Sequence, residues 1–73
     1  MEHPTIAQII GPVVDVAFPE GYELPAVGTA LIARHGERRI VLEIAKHLEP
    51  GRVRAIALAS TDGLARGLAV EDT

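Results

Sequence analysis

Cysteine and tryptophan are absent from this 73-residue chain, and its aromatic content is one Phe and one Tyr. Without thiols there can be no disulfides, no thiolate zinc sites and no cysteine nucleophiles, and a cytoplasmic setting is the expectation that follows. Two aromatics cannot form a row of stacking platforms for single-stranded bases, and a formal charge of −3 exerts no pull toward phosphate. Nucleic acid is therefore not expected as a partner. Charge-free runs reach only about ten residues, as in Ile6 to Val14, whereas a bilayer span needs roughly 20. Direct membrane contact is not expected either. The opening Met1-Glu2-His3-Pro4-Thr5 lacks the basic region and apolar run of a secretory leader.

What the chain does have is apolar material, 48% of its residues against 23% charged, which argues against disorder. At this length it makes one small domain, 1–73, able to bury about 60% of the surface of its unfolded form. Gly and Pro cut it into short pieces rich in Val, Ile, Leu and Ala, which suit strands better than helices. In the first piece, Ile6 to Phe18, Gly11-Pro12 is a break. Because Pro cannot donate to a ladder, the break is read as a bulge or bend between two strand halves that pair with different neighbours. Beyond it Val14, Val16 and Phe18 share one face and Asp15 takes the other. Pro19 to Pro25 reads as a loop. Thr29–Arg34 and Arg39–Lys46 form a hairpin across His35-Gly36-Glu37-Arg38, and Ile40, Leu42 and Ile44 point into the core. Glu49-Pro50-Gly51 is a turn, Arg52–Ala59 a strand, and Leu68–Glu71 a short last strand, with helix excluded outside Ser60 to Gly67. About six short strands with a turn roughly every ten residues predict an all-β fold, a small closed barrel.

Charge is unevenly spread: residues 1–33 carry four acids and no base, 34–54 six bases and three acids, and 55–73 one base and three acids. A search for catalytic chemistry finds none. The only lysine, Lys46, has no glycine-rich loop beside it, and Gly63-Leu64-Ala65-Arg66-Gly67 reads as turn chemistry, so no phosphate cradle is expected. His3, His35 and His47 lack metal-ligand spacing and read as separate surface residues, leaving no metal or cofactor to expect. Ser60 and Thr61 read as caps on the turn that contains Asp62 and Gly63. Adjacent on a strand, Glu71 and Asp72 should face opposite ways, as frayed, solvated charge. Asp15 is either a solvent-facing residue or a contact to a neighbouring subunit or basic strand. Arg34, Arg38, Arg39, Arg52 and Arg54 come nearest to a functional patch, because Arg pairs bidentately with carboxylates; the plainer alternative for Arg38 and Arg39 is a charged loop tip. Asp15, Arg34, Arg38, Arg39 and Arg54 are thus the candidate interface residues, and Gly11, Pro12, Asp62, Gly63 and Gly67 the structural turns.

The stretch Ile9-Ile10-Gly11-Pro12-Val13-Val14-Asp15-Val16-Ala17-Phe18-Pro19 resembles the opening of the catalytic beta subunit of the rotary F-type ATP synthase. Glu23-Leu24-Pro25-Ala26, Leu42 to Leu48, Val53 to Leu58 and Ser60 to Gly67 resemble later stretches of that family, in order. Ala59 stands where the family usually has an acid, Lys46 where it has Gln, and Val27-Gly28-Thr29 where an aromatic is common. The resemblance implies a six-stranded Greek-key barrel. It would be the amino-terminal domain of that subunit, packed between alpha-subunit barrels in a crown that holds the hexamer together, with nucleotide-binding and carboxy-terminal domains lying elsewhere in the parent. It further implies no catalysis by this chain, and a parent complex peripheral to the inner face of an energy-coupling membrane, making ATP at the expense of proton transport. In isolation the acidic and basic segments should support only weak self-association. The rival expectation is a stand-alone small-barrel module binding an oligonucleotide or oligosaccharide.

Overall fold

Short apolar runs between Gly- and Pro-rich turns become six strands of one antiparallel sheet in the computed structural model, which describes residues 3–72. They are β1 (Thr5–Ile10), β2 (Val13–Ala17), β3 (Ala30–His35), β4 (Arg38–Leu48), β5 (Arg52–Ala57) and β6 (Val70–Asp72), in the spatial order β1-β2-β5-β4-β3-β6. Tight turns join β3, β4 and β5, and β6 returns after the long 58–69 connection to lie beside β3, which is the Greek-key arrangement. The two outer strands of that order then meet. Thr5 bridges Ala69, Ile6 N–H donates to Leu68 O at 2.9 Å, Gly67 N–H to Ile6 O at 2.8 Å, and Val70 N–H to Pro4 O at 2.9 Å. Joining the two edges over residues 4–6 and 67–70 curls the sheet into a barrel.

Alternation fills the interior. Val14, Val16, Ile40, Leu42 and Ile44, the expected inward set, are buried, together with Ile6, Leu31, Val53 and Val70. Ala33, Ala55 and Ala57 supply the small residues that let strands on opposite sides of a narrow barrel approach. Each buried Val, Leu or Ile contributes about 1.5–3 kcal/mol relative to exposure.

Two bulges rescue this pattern where strict alternation would break it. Ile6 and Ile9 are three apart, so period two would send them to opposite faces; the register shift at Ala7 sets Ile6 opposite Val16 and Ile9 opposite Val14, both against the core. In β4 the shift at Ala45 moves Lys46 out of the inward phase of Ile44 and sets it opposite the exposed Arg54.

The break at Gly11-Pro12 is a hairpin turn and not a bend between strand halves with separate neighbours. Ile10 pairs with Val13 and Thr5 with Ala17, so β1 and β2 lie against each other along their length. Gly11 has φ +57° at the first central position, as a two-residue hairpin of type II′ demands, and Pro12 occupies a corner where no ladder donor is required. Pro12 O in turn accepts from Ala57 N–H at 2.8 Å. Other boundaries shift slightly: β5 ends at Ala57, β6 begins at Val70, and the 60–67 segment is a series of turns without helix.

Because Gly11 adopts a left-handed φ, Gly11→Val should lower the unfolding free energy by about 1–3 kcal/mol, and Gly11→Asn by less, since Asn tolerates that region. Urea denaturation midpoints measure both, and an unchanged midpoint in Gly11→Val would show that the turn does not depend on Gly11.

Candidate interaction surface

The outer face of β1, β2 and β5 carries a part-buried ion pair. Asp15 faces outward between inward Val14 and Val16, and the β2–β5 register sets it directly opposite Arg54. Arg54 Nε donates to Asp15 Oδ1 at 2.9 Å and Nη2 to Oδ2 at 3.1 Å, a two-pronged pairing that matches guanidinium to carboxylate. Asp15 is therefore not solvent-facing: it is only 5% exposed, covered by its own chain's basic strand. The hydrogen bond, and secondarily the charge, of Asp15 raise the Arg54 pKa above its ordinary value. Gln8, Ile10 and Val13 complete a shallow hollow of about 270 Å³ over this pair.

Beside the hollow runs an apolar ridge. Cross-strand pairing links Ile10 to Val13 and Val13 to Ile56, and Leu58 N–H donates to Val41 O at 2.9 Å, carrying the line onto β4. Ile10 and Leu58 are each 63% exposed and Ile56 37%. The ion pair at its foot is neutral overall, and Glu43, set opposite Ile56 across β4–β5, borders the ridge with an exposed carboxylate. Sequence reasoning missed these residues, although a signal was there: Ile56 alternates with inward Val53, Ala55 and Ala57 in phase with Arg52 and Arg54, the outward set.

The remaining arginines are distributed differently. Arg34 Nε donates to Glu71 Oε2 at 2.7 Å, an ion pair with both partners about half exposed. Glu71 is thus partnered and not frayed. Its pKa is lowered, chiefly by the Arg34 hydrogen bond, with the charges of Arg34 and Arg39 assisting against partial desolvation; Arg34 is raised by the same bond. Arg38 donates through Nη1 to Asp62 O at 2.7 Å and through Nη2 to Ser60 O at 2.9 Å, fastening the 58–69 connection to the β3–β4 hairpin. Arg39 sits opposite Arg34 and is exposed, with no hydrogen bond or ion pair of its own among the described residues.

The turn residues act locally. Asp62 N–H donates to Ser60 Oγ at 3.1 Å, the expected cap, whereas Thr61 Oγ1 reaches across to Gly11 O at 3.0 Å. Gly63, at φ +91°, lies so close to the His35 ring that a Cβ there would stand 3.0 Å from Nδ1. Gly67 supplies one of the barrel-closing donors. A His47 Nε2–H donates to Pro25 O at 2.7 Å and ties down the 18–29 loop.

A family model described as the ATP synthase alpha/beta family, beta-barrel domain, matches residues 6–73.

Two measurements check the ion pairs. Arg54→Gln strands a buried carboxylate, so it should lower the denaturation midpoint more than the double variant Asp15→Asn/Arg54→Gln, which removes charge from both sides; the reverse order would show that Asp15 does not need Arg54. For Glu71, a folded pKa below the unfolded one means that the Arg34 pair stabilises above the ordinary value of 4.5 and is lost as pH falls through the folded value. The midpoint difference between the native chain and Glu71→Gln should accordingly be largest near pH 7 and shrink toward pH ~2. A difference that grows on acidification would overturn the assignment.

Proposed function

The chain belongs to the ATP synthase alpha/beta family as its beta-barrel domain, and from that premise we propose that it is the amino-terminal barrel of the catalytic beta subunit of a rotary F-type ATP synthase. Its function is assembly. It lies between alpha-subunit barrels in the ring, while ATP synthesis coupled to proton transport is carried out by other domains of a complex peripheral to the membrane. The beta-type motifs, Ile9 to Pro19, Leu42 to Leu48, Val53 to Leu58 and Ser60 to Gly67, support the subunit assignment.

The observation that carries the assembly reading is the ridge of Ile10, Val13, Ile56 and Leu58. Isolated exposed apolar residues are ordinary on a soluble domain, but a contiguous line of them with a polar border is the anatomy of a protein interface. A ring built from alternating subunits sets one face against a different one, so the ridge fits a neighbour better than a copy of itself. Self-association in isolation is accordingly weak. Packing governs the contact more than charge does, because Arg34, Arg38 and Arg54 are already engaged within the chain.

Sedimentation velocity of this chain mixed with an alpha-subunit barrel tests the reading. Ile56→Asp or Leu58→Asp should weaken the mixed complex at least about tenfold, and Arg39→Gln less than about threefold. A complex indifferent to both aspartates would remove the ridge from the interface.

A further inference from the structure

A second surface lies at the other end of the barrel. The chain's only Phe and only Tyr come together there, Phe18 at the end of β2 and Tyr22 in the following loop, with ring centroids 5.0 Å apart and planes tilted by 50°. Pro19, Glu20, Pro50 and Gly51 complete an open cup of about 410 Å³ around them. Its walls are held before any ligand arrives: Phe18 N–H donates to Gly51 O at 2.8 Å and Tyr22 N–H to Pro19 O at 3.0 Å. Phe18 is buried, whereas Tyr22 remains 38% exposed. Glu20 stands in the wall of the cup, and Arg52, the base next in sequence to Gly51, lies across from Ala17 on the outer face. Segments 18–25 and 49–51 contain Glu20, Glu23 and Glu49, all exposed, and no base.

We propose that this cup seats a cationic side chain, arginine in particular, presented by a partner polypeptide. A guanidinium is attracted to the face of an aromatic ring and lies flat against it, its fork of N–H groups matches a carboxylate, and its methylene stem packs along prolines. A neutral apolar group would leave the Glu20 carboxylate unused, and an anion would meet that carboxylate in the wall of the cup. Val13 on the ridge and Ala17 beside the cup are at opposite ends of β2, about 13 Å apart at 3.3 Å per residue. The cup is therefore separate from the ridge, and its occupancy does not rest on the assembly reading.

The test is an NMR titration of the whole isotope-labelled chain with a blocked Gly-Arg-Gly peptide, using the citrulline peptide as a neutral control of the same shape. Shifts confined to Gly21, Tyr22, Gly51 and their neighbours are expected, with millimolar affinity and at least about tenfold weaker binding of citrulline. Tyr22→Leu, which keeps apolar bulk but removes the ring, should weaken binding about fivefold, and Glu20→Gln about two- to threefold, with unchanged core signals from Val14 and Ile44. Equal binding of the two peptides, shifts at Ile10 and Ile56 instead, no response at about 10 mM peptide, or indifference to Tyr22→Leu would each overturn the proposal.

Discussion

Three backbone hydrogen bonds between residues 4–6 and 67–70 join the edges of the sheet, and most other features of the barrel serve or exploit that closure. They form only if the connection from β5 to β6 is led across the β3–β4 hairpin at the right height. Arg38 sets that height by holding the carbonyls of Ser60 and Asp62, and Gly63 allows the backbone to lie against His35. Thr61 adds a tie from the same segment to the β1–β2 turn at Gly11 O. The connection is thus positioned by directional contacts from one arginine and one threonine together with Leu64 and Leu68, which pack against the core.

Closure also decides where charge can go. An interior filled by branched aliphatic residues and alanine has no room for an ion, so charged positions in the strands must lie on the outer face or at the ends. There the antiparallel register brings acids and bases together: Asp15 meets Arg54 directly across β2–β5, and Glu71, opposite Ile32, meets Arg34 diagonally across β3–β6. The outer face thus carries two paired sites and, apart from them, the exposed apolar side chains of Ile10, Ile56 and Leu58.

The inward set was legible because Ile40, Leu42 and Ile44, and separately Val14 and Val16, alternate with residues of other character over long enough runs. Gly11-Pro12 was legible as a break but not as a hairpin. A bend and a two-residue turn call for the same pair of residues, and the difference lies in whether flanking strands find each other. The bulges at Ala7 and Ala45 left no mark, since alanine fits either face. Asp15 with Arg54 and Arg34 with Glu71 lie 39 and 37 residues apart, pairings that only a register between distant strands reveals. The ridge was hidden for a different reason: isoleucine at an outward position reads as core until the phase of its strand is fixed.

The strand that opens the chain and the strand that closes it are neighbours, and this orders events during synthesis. β1 and β2 can pair as soon as they emerge, and β3, β4 and β5 can follow by local turns. Thr5 and Ile6, however, must wait for residues 67–70. At about 5–20 residues per second the ribosome needs roughly 3 to 13 s to deliver them. For those seconds the nascent sheet carries open edges at β1 and β3, a template on which a neighbouring chain on the same message could pair.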